Sequence, residues 1–158
     1  MKIDAIINGD AIKEMKKMDD KSIDLVVTSP PYNIKNSSGD YQDNLPHDQY
    51  VQWQKDCLSE MLRLIKDNGA IFYNHKWRVQ KGLLQDRNDI VNDFPVRQII
   101  IWNRFGGINF NKGYFLPTYE VIYLIAKKDF RLAEGANSQG DVWRISQERK
   151  NAHPAPRS

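Results

Sequence analysis

Apolar residues fall in short runs, separated by polar stretches, helix-spaced stretches and glycine-rich stretches. Ile3 to Ile7 is a run of strand length, ended by Asn8-Gly9-Asp10. Ala11 to Met18 has helical spacing, with Ile12, Met15 and Lys16 in range of one face. After the polar turn Asp19-Asp20-Lys21-Ser22, Ile23 to Val27 is a near-continuous apolar run and predicts a buried strand of a parallel sheet. Residues 33 to 46 are rich in Asn, Ser, Gly and Asp and predict a loop. From His47-Asp48 to about Ile65, the residues Tyr50, Trp53, Cys57, Met61, Leu62 and Ile65 make one apolar stripe of a helix, with Asn68-Gly69 as its stop. Ala70–Tyr73, Val96–Trp102 and Tyr119–Ala126 predict further strands, the last two forming an antiparallel ribbon at one edge. Gln80 to Leu84 suits a helical turn, and irregular β structure is expected around Val142-Trp143-Arg144-Ile145. Strands alternating with helices predict an α/β layered fold with a largely parallel sheet. No repeat or linker interrupts it, so residues 1–158 are expected to form one domain.

Thr28-Ser29-Pro30-Pro31-Tyr32-Asn33 directly follows the Ile23–Val27 strand. In open α/β sheets, ligands and chemistry gather at the carboxyl ends of strands. Two prolines fix φ and remove two backbone donors, so nearby carbonyls stay free to accept. Ser29, the Pro30 carbonyl and the flat ring of Tyr32 suit a planar base with an exocyclic amine. Taken alone, Pro-Pro-Tyr also serves as an ordinary turn capping a strand.

The flanking context favours the first reading. Ile6-Ile7-Asn8-Gly9-Asp10-Ala11, a short helix, and then Ser22 through Asn33 resemble the amino-terminal catalytic region of amino-group DNA methyltransferases. The order, with the catalytic motif near the start, resembles their beta class, and the likeness runs from about residue 3 to about residue 156. It implies a Rossmann-like fold that uses S-adenosylmethionine to methylate cytosine N4 or adenine N6 in double-stranded DNA, within a restriction–modification or phage system.

The resemblance also implies site roles. An exocyclic amine is a poor nucleophile because its lone pair is delocalised into the ring. Acceptors facing its N–H groups favour a pyramidal nitrogen, and Ser29 Oγ and the Pro30 carbonyl are the expected pair. Pro31 completes the rigid catalytic turn, and Tyr32 stacks on the base once it leaves the duplex. Ser at position 29 leans towards cytosine N4. Gly9, Asp10 and Ser29 are expected at the donor, with Asp10 accepting from the adenine amine; Asp10 also suits a helix cap. Asn33 and the loop 103–115 are expected to meet DNA. In that loop Arg104 and Lys112 offer phosphate contacts among Phe105, Phe110, Tyr114 and Phe115, although such aromatics also tuck into cores. His75-Lys76-Trp77-Arg78 faces the same rim, as a DNA contact or a solvated loop.

Composition narrows the setting. The 158 residues are 41% hydrophobic and 27% charged, as in an ordinary soluble domain. There is no apolar run of about 18 residues and no signal-peptide core at Met1-Lys2-Ile3-Asp4. The single cysteine, Cys57, excludes an internal disulfide and suits a core position. A cytoplasmic location is expected. A net charge of +3 with a pI near 8.9 is compatible with nucleic acid without arguing for it. His47, His75 and His153 lack metal-ligand spacing, so no metal site is expected.

Beta-class relatives carry a glycine-rich Phe-x-Gly-x-Gly loop after a segment like Asn151-Ala152-His153-Pro154-Ala155-Pro156. The sequence stops at Ser158, and Gly106-Gly107 follows the wrong strand to replace it. The expectation is therefore an incomplete methyltransferase fold lacking its C-terminal donor-binding strands: a truncated product, a split-enzyme subunit that pairs with a complementary half, or a partial sequence. A non-enzymatic remnant binding DNA or that half is the alternative. An enzyme acting on an amine of RNA or protein is a third reading.

Overall fold

The computed structural model describes residues 4–33, 37–38, 41–106 and 108–146. In chain order these form α1 (Ala11–Met15), β1 (Ile23–Thr28), β2 (Ser37–Ser38), β3 (Tyr41–Gln42), α2 (His47–Leu64), β4 (Ile65–His75), β5 (Arg78–Gln80), β6 (Leu83–Gln85), α3 (Asn88–Val91), β7 (Val96–Asn103), β8 (Tyr119–Ala126), a 3₁₀ turn (Ala136–Ser138) and β9 (Val142–Arg144). The main sheet runs β1-β4-β8-β7-β9. β1/β4 and β7/β9 pair in parallel, while β4/β8 and β7/β8 are antiparallel. The described sheet is thus evenly mixed rather than largely parallel.

Alternation along β4 and β8 splits the core between two faces. Ile71, Tyr73, Tyr123 and Ile125 pack against Tyr50 and Leu58 of α2 and Ile90 and Val91 of α3. Ala70, Leu124 and Ala126 pack with Ile100, Phe72, Ile122, Phe130 and Trp143 on the other side. The apolar stripe of α2 explains its burial, and Cys57 is a core residue whose thiol is pushed up to about 11, mainly by burial. Arg63 ties α2 to the end of α1 by donating to the Met15 and Met18 carbonyls at 2.8 and 3.0 Å, which satisfies acceptors that a helix end leaves open.

Several expectations are corrected. Residues 4–10 join no strand: Ile6 stands fully in solvent, and no described neighbour reaches its backbone to form a ladder. α1 stops at Met15, short of Met18. β1 forms as expected but lies at an edge of the described sheet, where only β4 among the described strands pairs with it, and Leu25 and Val27 are 53% and 73% exposed. The helix stops at Leu64, and Asn68-Gly69 lies inside β4, where the pairing shifts between Ile23 and Leu25. Gly69 is needed there because a Cβ would sit 2.9 Å from the Asp24 carbonyl oxygen. Residues 80–84 turn as a hairpin rather than a helix. Lys81 and Gly82 take φ of 52° and 78°, the left-handed pair that a tight hairpin turn requires. The tail Asn151–Pro156 and His153 lie outside the described residues.

Candidate active site

Strand register builds the site. Thr28 of β1 pairs with Tyr73 of β4, so the Ser29 loop emerges beside Asn74 and His75. β8 runs antiparallel to β4 with His75 opposite Val121, which brings Glu120 to the same rim. Glu120 also faces Trp102 of β7, placing Arg104 just beyond it. Four segments distant in sequence therefore converge on one cluster. Ser29 Oγ lies 2.7 Å from Tyr32 Oη, and Tyr32 donates to Glu120 Oε2 at 3.1 Å. Asn74 Nδ2 reaches Glu120 Oε2 at 2.8 Å, Tyr32 Oη at 2.9 Å and Ser29 Oγ at 3.3 Å. Arg104 Nη1 is 3.1 Å from Glu120 Oε1, with side chains 10% and 5% exposed. Burial first, and then the Glu120 charge, push the Tyr32 phenol above its ordinary range, so it stays protonated.

The turn at residues 30–33 is held by its carbonyls. Tyr50 Oη lies 2.8 Å from the Pro31 oxygen, Arg87 Nη2 3.4 Å from the Tyr32 oxygen, and the Arg78 guanidinium donates to the Asn33 oxygen. Among the described residues no donor reaches the Pro30 carbonyl. Asn33, at φ 59°, donates to the Leu45 carbonyl and accepts from the Leu45 N–H, both at 2.8 Å. Its own N–H donates to Asp43 Oδ1 at 2.6 Å. Its side chain is buried, with both ends of the amide bonded to Leu45.

His75 is fully buried rather than on a solvated rim. Its Nε2 lies 2.6 Å from Tyr50 Oη and its Nδ1 3.0 Å from the Lys76 carbonyl. Burial and the Arg87 guanidinium push it down to about 3, so it is neutral. Arg87, also buried, places its guanidinium 5.6 Å from the centre of the Tyr50 ring. In the 103–115 segment Phe105, Phe110 and Phe115 stand in solvent and Lys112 is exposed, whereas Arg104 turns inward to Glu120. Asp10 caps α1 through Oδ1, which accepts from the Lys13 N–H at 2.9 Å. A carboxylate has about four lone-pair sites, so that cap leaves Asp10 acceptor capacity that fits an adenine amine. Among the described residues, no group of three His, Cys, Asp or Glu side chains is placed to hold a metal. No described helix is long and apolar enough to cross a membrane.

Residues 23–157 match the family model for N6/N4 DNA methylases. The chain belongs to this DNA methylase family. Among curated relatives, type II methyltransferase M.BglII of Bacillus subtilis is 32% identical over 136 residues, covering 79% of this chain and 36% of that protein. M.HpaI of Haemophilus parainfluenzae is 32% identical over 126 residues, covering 77% and 38%. The chain thus spans well under half the length of these relatives. Among solved structures, the cytosine-N4-specific PvuII DNA methyltransferase superposes with a TM-score of 0.72 at 16% identity, covering 90% of this chain and 57% of that one. The Thermus thermophilus protein TTHA0409, complexed with S-adenosyl-L-methionine, gives 0.65 at 19% identity, covering 89% and 66%. These likenesses establish the methyltransferase fold for this chain.

Sequence reasoning named Ser29, Pro30, Pro31 and Tyr32; the fold brings beside them Asn74, Glu120, Tyr50 and Arg87, which it did not name as site residues. One signal was available: Glu120 is a carboxylate opening the otherwise apolar run Val121–Ala126.

Proposed function

We propose that this chain carries the base-accepting part of an S-adenosylmethionine-dependent DNA methyltransferase that modifies an exocyclic amine, cytosine N4 or adenine N6, of a flipped base. The observation that carries the reading is the open Pro30 carbonyl. The next three carbonyls are each engaged by a side-chain donor, while among the described residues none reaches that of Pro30, one residue from Ser29 Oγ. Two acceptors fixed at a rigid turn suit the two N–H groups of an amine whose lone pair must be freed. The attacking nitrogen sheds its proton after becoming cationic, so no strong base is required. Tyr32, backed by His75, offers its ring to the extruded base.

S-adenosylmethionine supplies the methyl group. Gly9, Asp10 and Ser29 are the residues proposed to face it. Lys112 and the exposed Phe105, Phe110 and Phe115 would meet DNA. Arg104 and Asn33, committed internally, support the catalytic turn instead. The exposed β1 edge suits the remaining strands of the fold, from the same polypeptide or a complementary half acting with it in the cytoplasm. The small share of the relatives' length favours this arrangement over activity of these residues alone.

Methyl transfer from labelled donor to DNA, with and without a co-expressed complementary half, followed by nucleoside analysis, tests the reading. Ser29→Ala and Tyr32→Ala should each abolish incorporation while leaving folding nearly intact. Unchanged turnover in both variants rejects it; transfer to RNA or protein instead of DNA would support a different substrate.

A further inference from the structure

A serine hydroxyl both donates and accepts. Ser29 therefore presents its lone pairs to an amine only if its own proton is used elsewhere. The Glu120 carboxylate accepts and cannot donate. Its Oε1 faces Arg104 Nη1 at 3.1 Å and its Oε2 faces Tyr32 Oη at 3.1 Å. The phenol has one proton, and Glu120 takes it. Tyr32 Oη then has only lone pairs for Ser29 Oγ, 2.7 Å away, so the Ser29 proton points to Tyr32. Asn74 Nδ2 donates into the same oxygens, at 2.8 Å to Glu120 and 2.9 Å to Tyr32, and lies 3.3 Å from Ser29 Oγ; as a donor it leaves this direction unchanged.

We propose that Glu120 is a positioning residue that acts through Tyr32 to fix the Ser29 hydroxyl as an acceptor toward the target amine. The catalytic consequence rests on the function proposed above; the hydrogen positions do not. The buried Arg104–Glu120 pair then has a function distinct from phosphate contact: it holds an acceptor-only group under the catalytic turn.

Glu120→Gln is the discriminating change because it keeps the shape. Charge-assisted hydrogen bonds are the stronger, so the oxygen of the introduced amide faces Arg104, and its N–H faces Tyr32 and displaces the Asn74 N–H that Glu120 Oε2 accepted. Tyr32 then accepts from that amide and its proton turns to Ser29 Oγ, occupying a lone pair meant for the amine. Two measurements test this. Neutron diffraction from deuterium-exchanged crystals of the unaltered chain should place one deuteron between Tyr32 Oη and Glu120 Oε2. A second should sit on Ser29 Oγ, directed at Tyr32. A Tyr32 deuteron directed at Ser29 would overturn the proposal. In transfer assays Glu120→Gln should lower kcat by on the order of tenfold or more, with the KM for DNA changed less than about twofold, the pattern of a group that acts in the transition state. An unchanged kcat would also overturn it. If the unaltered protein and its reconstituted form transfer no methyl to DNA, the functional reading falls, and the deuteron positions still decide the relay.

Discussion

The Tyr32 and His75 rings lie with centroids 4.9 Å apart and planes 28° from parallel. His75 thus backs the ring proposed to receive the base, and its own partners are the Tyr50 hydroxyl and the Lys76 carbonyl. Burial beside the Arg87 guanidinium keeps this histidine neutral, which couples the site to pH.

Burial, then the Arg87 guanidinium, and more weakly that of Arg78, hold His75 down to about 3, opposed by the Lys76 carbonyl. An unfolded histidine titrates near 6.5. At neutral pH neither state is protonated, and the residue imposes no pH penalty. Below about 6.5 the unfolded chain takes up a proton that the fold refuses. Stability should therefore fall by about 1.4 kcal/mol per pH unit from this residue, down to about pH 3. Urea unfolding of the parent and His75→Gln across pH 4 to 7 checks this on a scale of roughly three pH units. The variant should lack that acid-side slope, and parallel curves would show that His75 is protonated in the fold.

Tyr50→Phe should loosen the same turn. The change removes the hydroxyl beside the Pro31 carbonyl and leaves His75 Nε2 without its partner. Losing a buried partner costs about 1–3 kcal/mol. Calorimetry should register that loss, and amide exchange at Asn33 should quicken. Unaltered exchange would mean that the turn is held without Tyr50.

How much was legible follows range in sequence. The apolar periodicity of α2, β7 and β8 and the run in β1 are local, and each formed where its pattern placed it. Ser29-Pro30-Pro31-Tyr32 was legible for the same reason, since its chemistry sits in four consecutive residues. Glu120, Asn74 and His75 reach that motif only through the β1/β4 and β4/β8 registers, which no local window contains. Residues 4–7 illustrate the converse. Their pattern suits a strand, but a strand forms only where a neighbour completes the ladder. Asn68-Gly69 read as a helix stop because glycine commonly ends helices, whereas Gly69 is required by close approach to Asp24.

That close approach separates two glycines. Gly69→Ala would put a Cβ 2.9 Å from the Asp24 oxygen and 3.1 Å from Lys66 N, both backbone atoms, so β1 and β4 must shift. Overpacking of this kind costs about 1–3 kcal/mol. Gly82→Ala meets no atom within 4 Å and is strained only by its φ of 78°, a cost of about 1–2 kcal/mol confined to the hairpin. Beyond the loss in Tm, only Gly69→Ala should raise exchange at β1 amides and lower any transfer activity. Equal exchange at β1 in the two variants would remove Gly69 as the reason for the register shift.

Arg104 and Lys112 share one loop but should respond oppositely to truncation. Arg104→Ala leaves the buried Glu120 carboxylate without its cation, and breaking a buried pair costs about 3–5 kcal/mol. Lys112 is exposed, and its truncation should change stability by less than about 0.5 kcal/mol. DNA binding reverses the ranking in a measurable way. A lysine on a phosphate contributes counterion release, so Lys112→Ala should reduce the slope of log affinity against log salt by about one. Arg104→Ala, assayed where it remains folded, should leave that slope unchanged. A salt slope lowered by Arg104→Ala and untouched by Lys112→Ala would put Arg104 at the phosphates and take Glu120 out of its pairing role.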